Sequence, residues 1–197
     1  MRIRIVSLLS VVLLGSILAA AGTVYDNGPH SLSSRYGAPS FSGSRNFVSD
    51  TFTVSAGSAT ITGMSIWTWG WPTDHNPTAE VTITSQANGG TVYFDQVVQF
   101  SESNCFADGF GFSHCQQMVS WVNGPVLPNG TYWVNLQKGS FPSGNSIFWD
   151  GNGGVGCQSP GCPSQAKYGF GSTPSEAFTI LGTSGSDGET TPKKNGS

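Results

Sequence analysis

From residue 22 onward the chain runs in short stretches of alternating apolar and polar residues, broken at close intervals by Gly, Pro and Asn. A period of two sends alternate side chains to opposite faces of a β-strand. Residues 23–25 predict a first edge strand. Val48, Asp50, Phe52 and Val54 share one face of the next, which Ala56-Gly57 is expected to end. Residues 80–85 place Val81 and Ile83 inward and Glu80, Thr82 and Thr84 outward, and Asn88-Gly89-Gly90 predicts a hairpin turn. In residues 91–101, Val92, Phe94, Val98 and Phe100 line one face, while Tyr93, Asp95 and Gln99 line the other. Residues 117–123 return as a strand. Residues 130–138 put Tyr132, Val134 and Leu136 on one face and Trp133, Asn135 and Gln137 on the other. Shorter runs at 146–150, 165–168 and 177–181 follow, and no segment carries a sustained helical period. The expected fold is all-β: an antiparallel sandwich, jelly-roll-like, of about eight to ten short strands in a single domain over residues 22–182.

Residues 59–71 read ATITGMSIWTWGW and set a problem of phase. Trp67, Trp69 and Trp71 must share a face. Uninterrupted alternation from Ala59 and Ile61 buries all three. A bulge at Gly63 reverses the phase, burying Met64 and Ile66 and turning the tryptophans outward. The first arrangement makes them core; the second makes them a stacking platform.

The start of the chain places these strands in a compartment. Arg2 and Arg4 precede an apolar run over residues 5–18, and Ala19-Ala20-Ala21 offers a small-residue cleavage site. Residues 1–21 are expected to be a secretory signal peptide, giving a secreted or periplasmic protein with no membrane insertion after cleavage. Under oxidising conditions Cys105, Cys115, Cys157 and Cys162 favour disulfides over a four-thiolate zinc site, whose usual two-residue spacing is absent. Of three pairings, Cys105–Cys115 and Cys157–Cys162 is the simplest, since each pair brackets a Gly-rich loop. Residues 183–197 are expected to be a disordered polar tail.

Charge narrows the partners. Only 10% of residues are charged, and over residues 22–182 four basic against nine acidic side chains leave a net charge of −5. With no basic stripe, nucleic acid is not an expected partner.

Candidate chemistry follows from the polar residues. Asp74, Glu80, Asp95 and Asp150 are the carboxylates that a polysaccharide hydrolase or lyase would draw on, but they fall at turns or on outward strand positions. His30, His75 and His114 read as loop residues, and no nucleophile elbow is present. Asp150-Gly151-Asn152 spaces oxygen ligands as a structural calcium would require, with Asp26-Asn27 and Asp108 completing a site if those loops meet; no other cofactor is expected. The most coherent positive signal is for sugar. Aromatic faces stack on pyranose rings while amides and carboxylates bind hydroxyls. Tyr93 and Asp95 on one strand and Trp133, Asn135 and Gln137 on another would form one patch if those strands are neighbours, with Trp67, Trp69 and Trp71 as the rival platform.

Several stretches occur in an order that resembles secreted bacterial β-sandwich proteins of unknown function, some of which end in a PEP-CTERM type sorting signal. They are YDNGP at 25–29, VSDTFTV at 48–54, ITG with Trp69, Pro72 and Asp74, YFDQ at 93–96, the Cys105 and Cys115 pair, GTYWVNLQ at 130–137, FWDGNGG at 148–154 and PSEAFTILG at 174–182. The resemblance implies export and a sandwich, and brings no activity or site residues. Where such proteins carry an anchoring segment, this chain reads Thr191-Pro192-Lys193-Lys194, so release is expected over surface anchoring. The expected function is a non-catalytic module that binds extracellular polysaccharide or cell-surface material. A structural matrix protein assembling with other proteins is the alternative.

Overall fold

The computed structural model describes residues 21–31, 38–152, 165–169 and 171–185. The expected signal peptide, the Cys157–Cys162 pair and most of the polar tail lie outside them. The described residues hold no helix and eleven strands: β1 (Gly22–Asp26), β2 (Phe47–Gly70), β3 (Thr78–Gln86), β4 (Gly89–Gln99), β5 (Ser101–Ala107), β6 (Ser113–Ser120), β7 (Val126–Ser140), β8 (Phe148–Trp149), β9 (Ala166–Tyr168), β10 (Gly171–Thr173) and β11 (Phe178–Gly185). All pair antiparallel in one curled sheet, whose main path runs β1-β11-β2-β7-β3-β4. The all-β antiparallel class is as the alternation predicts, with more strands than expected.

The extra strands have local causes. β5 runs from Ser101 into the Cys105–Cys115 stretch, its polar residues hide the alternation, and it pairs with β6. β7 begins at Val126, before the expected 130–138 run, and passes through Pro128-Asn129-Gly130 without a break. β11 continues to Gly185, three residues beyond the expected domain boundary.

β2 organises the sheet. Its first half lies between β7 and β9, and its second half between β11 and β6. Ala56-Gly57 does not end it. Gly57 takes a left-handed φ of 57°, and the register against β7 jumps between Val54 and Ser58. Three residues of β2 there stand against one of β7, so the strand bends without losing its partners. One 24-residue strand therefore serves both arms of the curl.

A second irregularity settles the phase of the tryptophans. Gly63 pairs with Leu181 and Ile61 with Gly182, so Thr62 is the extra residue opposite a tight step in β11. Ile61, Met64 and Ile66 are all fully buried. Trp67 and Trp69 are half-buried on the opposite face, and Trp71 is exposed. Gly63 permits the arrangement because β6 closes on it: a Cβ there would stand 2.4 Å from the Val119 carbonyl oxygen.

The core fills the space between the two arms. Phe52 of the first arm meets Tyr25 at 6.3 Å and Tyr132 at 5.7 Å between ring centroids, and Phe94 stacks on Trp121 at 4.5 Å. Tyr132, Val134 and Leu136 point inward as their alternation predicts. β1 closes the structure by pairing with β11, and the Cys105–Cys115 disulfide clamps β5 to β6.

Candidate functional site

The outward tryptophan face carries a cleft of about 390 Å³, lined by Trp69, Trp71, Phe112 and Phe148 with Asn145 and Ser146 at its rim. Phe148 lies flat on Trp69 at 4.0 Å with 5° between the planes, and Phe112 meets the Trp69 ring edge-on at 5.0 Å. Phe112 also packs 5.0 Å from the Trp71 ring, which is 50% exposed. β2 positions Trp69, the turn that follows it positions Trp71, β8 positions Phe148, and the clamped β5–β6 hairpin brings in Phe112. Four rings from three segments thus converge, without a charged side chain in the lining.

Asp74 holds the rim together. Its carboxylate accepts hydrogen bonds from the Trp71 amide at 2.9 Å, from Asn145 Nδ2 at 3.0 Å and from Ser143 Oγ. It is 4% exposed. The turn that carries Trp71 is therefore tied to the loop that carries Asn145. Gly70 leaves the room required, since a Cβ there would come within 2.8 Å of the Phe141 ring. Asp74 is a scaffold here, and the sequence gives that role no signal beyond an acid two residues after a proline.

The other expected patch does not assemble. β3 lies between β4 and β7, so Tyr93 and Trp133 do not sit on neighbouring strands. Tyr93 packs edge-on against Tyr132 at 5.3 Å. Asn135 is fully buried; it accepts from Ser49 Oγ and the Asn88 amide and donates to Thr82 and Thr84, pinning the β3–β4 hairpin. Gln137 donates to Glu80, which also pairs with Lys138. Lys138 holds the Glu80 carboxyl below its usual range. Trp133 is half-buried with Lys167 Nζ 5.7 Å above its ring. Asp95 is exposed, opposite Thr82.

Asp150 and Asn152, the expected calcium ligands, are both buried. The loops named with them do converge: Asn152 donates to the Asn27 carbonyl, and His114 lies between Asp150 and Asp108. The amide nitrogen of Asn27 is engaged with Ser175 Oγ at 2.7 Å and the Glu176 carbonyl at 2.6 Å. His114, expected in a loop, begins β6 and is 1% exposed. His75 is exposed and paired with Glu102. Two imidazole nitrogens, from His30 and His114, face the Asp150 carboxylate, which the oxygen-spacing pattern does not reveal.

Glu176 sits among these groups, 1% exposed and with neither carboxylate oxygen hydrogen-bonded. Burial pushes its pKa well above the ordinary 4.5, and the charges of Asp50 and Asp150 add to the rise. A raised folded-state pKa means stability that is complete below 4.5 and lost as pH climbs through the folded value. Glu176→Gln keeps the volume and cannot ionise. The variant is expected to match the wild type in acid and exceed it progressively above, by up to about 1.4 kcal/mol per pH unit across that window. Urea melts at a series of pH values measure this, and parallel curves for the two proteins would refute it.

No protein-family model matches the chain, and no curated protein sequence matches it significantly.

Proposed function

We propose that this protein is an exported, non-catalytic module that binds polysaccharide in the cleft formed by Trp69, Trp71, Phe112 and Phe148. The observation that carries the reading is the composition of that cleft: four aromatic rings, an amide and a hydroxyl, with no charge in the lining. Flat apolar faces flanked by neutral hydrogen-bonding groups suit a neutral polyol ring better than a peptide, an anion or nucleic acid. Export is the compartment in which such a ligand is met, and the Cys105–Cys115 disulfide agrees with it.

Trp71 is the residue to test, because half its surface is exposed and its loss leaves the core untouched. Affinity electrophoresis over a panel of neutral polysaccharides is expected to retard the wild type. Trp71→Ala should weaken binding by about 2 kcal/mol, roughly 30-fold, as for an aromatic hot spot. Equal mobility on every polysaccharide, or a variant that binds as well as the wild type, refutes the reading.

A second reading has one specific observation in its favour. Among the described residues β4 pairs on one side only, with β3, and it exposes Val92 and Val97 at 57% and 73%. An apolar edge strand is a template for assembly with another chain. Concentration-dependent oligomers by light scattering, abolished by Val97→Lys, would favour a structural matrix protein.

A further inference from the structure

Beside Trp67, three side chains from distant parts of the chain meet. His30 comes from the loop after β1, His114 from the first turn of pairing in β6, and Asp150 from the end of β8. Both imidazoles present Nδ1 to the same carboxylate oxygen, Asp150 Oδ2, at 3.6 Å for His30 and 3.3 Å for His114. The three ligand atoms lie within 4.8 Å of one another.

We propose that His30, His114 and Asp150 form a three-ligand site for a divalent transition-metal ion, with zinc as the first candidate.

Geometry, donor type and surroundings support it separately. Two ligands each about 2.1 Å from a tetrahedral ion stand about 3.4 Å apart, which is the spacing at which both nitrogens already face Asp150 Oδ2. Two imidazole nitrogens and one carboxylate oxygen suit zinc and its first-row neighbours, whereas calcium takes an all-oxygen shell. The ligands are also held from behind. Asp108 Oδ2 stands 3.6 Å from His114 Nε2, in the place of the carboxylate that orients a metal-bound histidine. The His114 ring stacks on Phe106 with 12° between the planes, and the His30 ring packs 4.0 Å from Trp67.

A simple ion pair of His114 with the two aspartates explains less. It leaves His30 Nδ1 shielded from water, without a hydrogen bond and aimed at an oxygen that His114 already uses. A buried polar atom without a partner carries a desolvation cost. A shared metal removes that cost for His30, while His114 Nδ1 exchanges its carboxylate contact for the same ion. Three protein ligands leave a fourth position for water, and His30, at 18% side-chain exposure, provides the approach.

The test uses the full-length, oxidised, tag-free protein, stripped with EDTA and titrated with zinc chloride or calcium chloride by calorimetry. Zinc is expected to bind with one-to-one stoichiometry, to change the tryptophan fluorescence through Trp67 and to raise the melting temperature; calcium is expected to do none of these. His30→Gln should abolish the zinc response, while a cooperative melt in EDTA shows that the variant is folded. Asp108→Asn should weaken zinc about 10- to 100-fold, the usual effect of losing an orienting partner. Absence of stoichiometric zinc binding overturns the proposal. So does zinc binding that survives His30→Gln, or calcium binding in place of zinc. His114→Gln is a further check, and the conclusion stands on His30→Gln if that variant fails to fold.

Discussion

Trp149→Ala is expected to destabilise the protein by about 3–5 kcal/mol, a large share of the roughly 5–15 kcal/mol that holds an ordinary domain folded. Trp149 is one of only two residues in β8, yet it is fully buried. Its ring meets Phe178 edge-on at 5.6 Å, its Nε1 donates to the Ala177 carbonyl at 3.1 Å, and its own amide donates to the Pro39 carbonyl at 3.1 Å. Alanine removes the ring and leaves a cavity that three converging segments cannot readily close. Trp149→Phe separates the contributions: it keeps most of the apolar area and loses only the indole hydrogen bond, since the Ala177 carbonyl still accepts the Trp67 amide at 3.1 Å, at a cost of about 0.5–1.5 kcal/mol. Urea denaturation of both variants measures the pair, and an alanine variant within 1 kcal/mol of wild type, on the same order as a surface change, would contradict it.

Gly124→Ala is the second large effect, and it comes from too much matter instead of too little. A Cβ at this position would lie 1.6 Å from the Ile61 carbonyl oxygen and 2.6 Å from Trp121 Nε1. The same carbonyl accepts the Trp121 indole hydrogen bond at 3.0 Å, and the Pro125 carbonyl accepts the Ile61 amide at 2.9 Å. The methyl group cannot be accommodated by a rotamer change, because the obstacle is backbone. About 3 kcal/mol is expected, the upper part of the usual range for overpacking. Gly89→Ala is the control: its nearest obstacle is 3.9 Å away, so stability should stay within about 0.5 kcal/mol of wild type. Equal melting temperatures for Gly124→Ala and the wild type would refute the prediction.

Much of the fold can be read from the alternation, because a half-buried strand must repeat every two residues. Val81, Ile83, Val134 and Leu136 are buried as their phase requires, but Thr82 and Thr84, expected outward, are buried as well because β3 is covered on both faces. What the pattern misses is partnership. Asn135 reads as an outward residue on β7, but the β3–β4 hairpin folds over it and uses its amide as a clasp. Ala56-Gly57 reads as an end, but both halves of β2 have partners and the strand continues.

The sites are legible to a different degree. Gly63 announces a bulge without saying whether it is used; the decision rests with the step between Leu181 and Gly182, far along the chain. Once it is made, the outward turn of Trp67, Trp69 and Trp71 follows. Phe112 and Phe148 join them through tertiary pairing that no local spacing encodes. The same holds for His30, His114 and Asp150, which look unrelated in sequence and become neighbours only when the loop after β1, β6 and β8 are placed around β2.

The sharing of β2 between both arms has a consequence for folding kinetics. Neither arm can complete its hydrogen-bonded ladder unless the other half of the same strand is in place, so no half-folded form retains a finished core. The first described strand, moreover, pairs with the last. A chain whose decisive contacts join its two ends must close large loops before those contacts repay the entropy, and such topologies fold slowly. The folding and unfolding of this protein should accordingly be a single slow, cooperative event that cannot begin its final step until β11 has become available to β1.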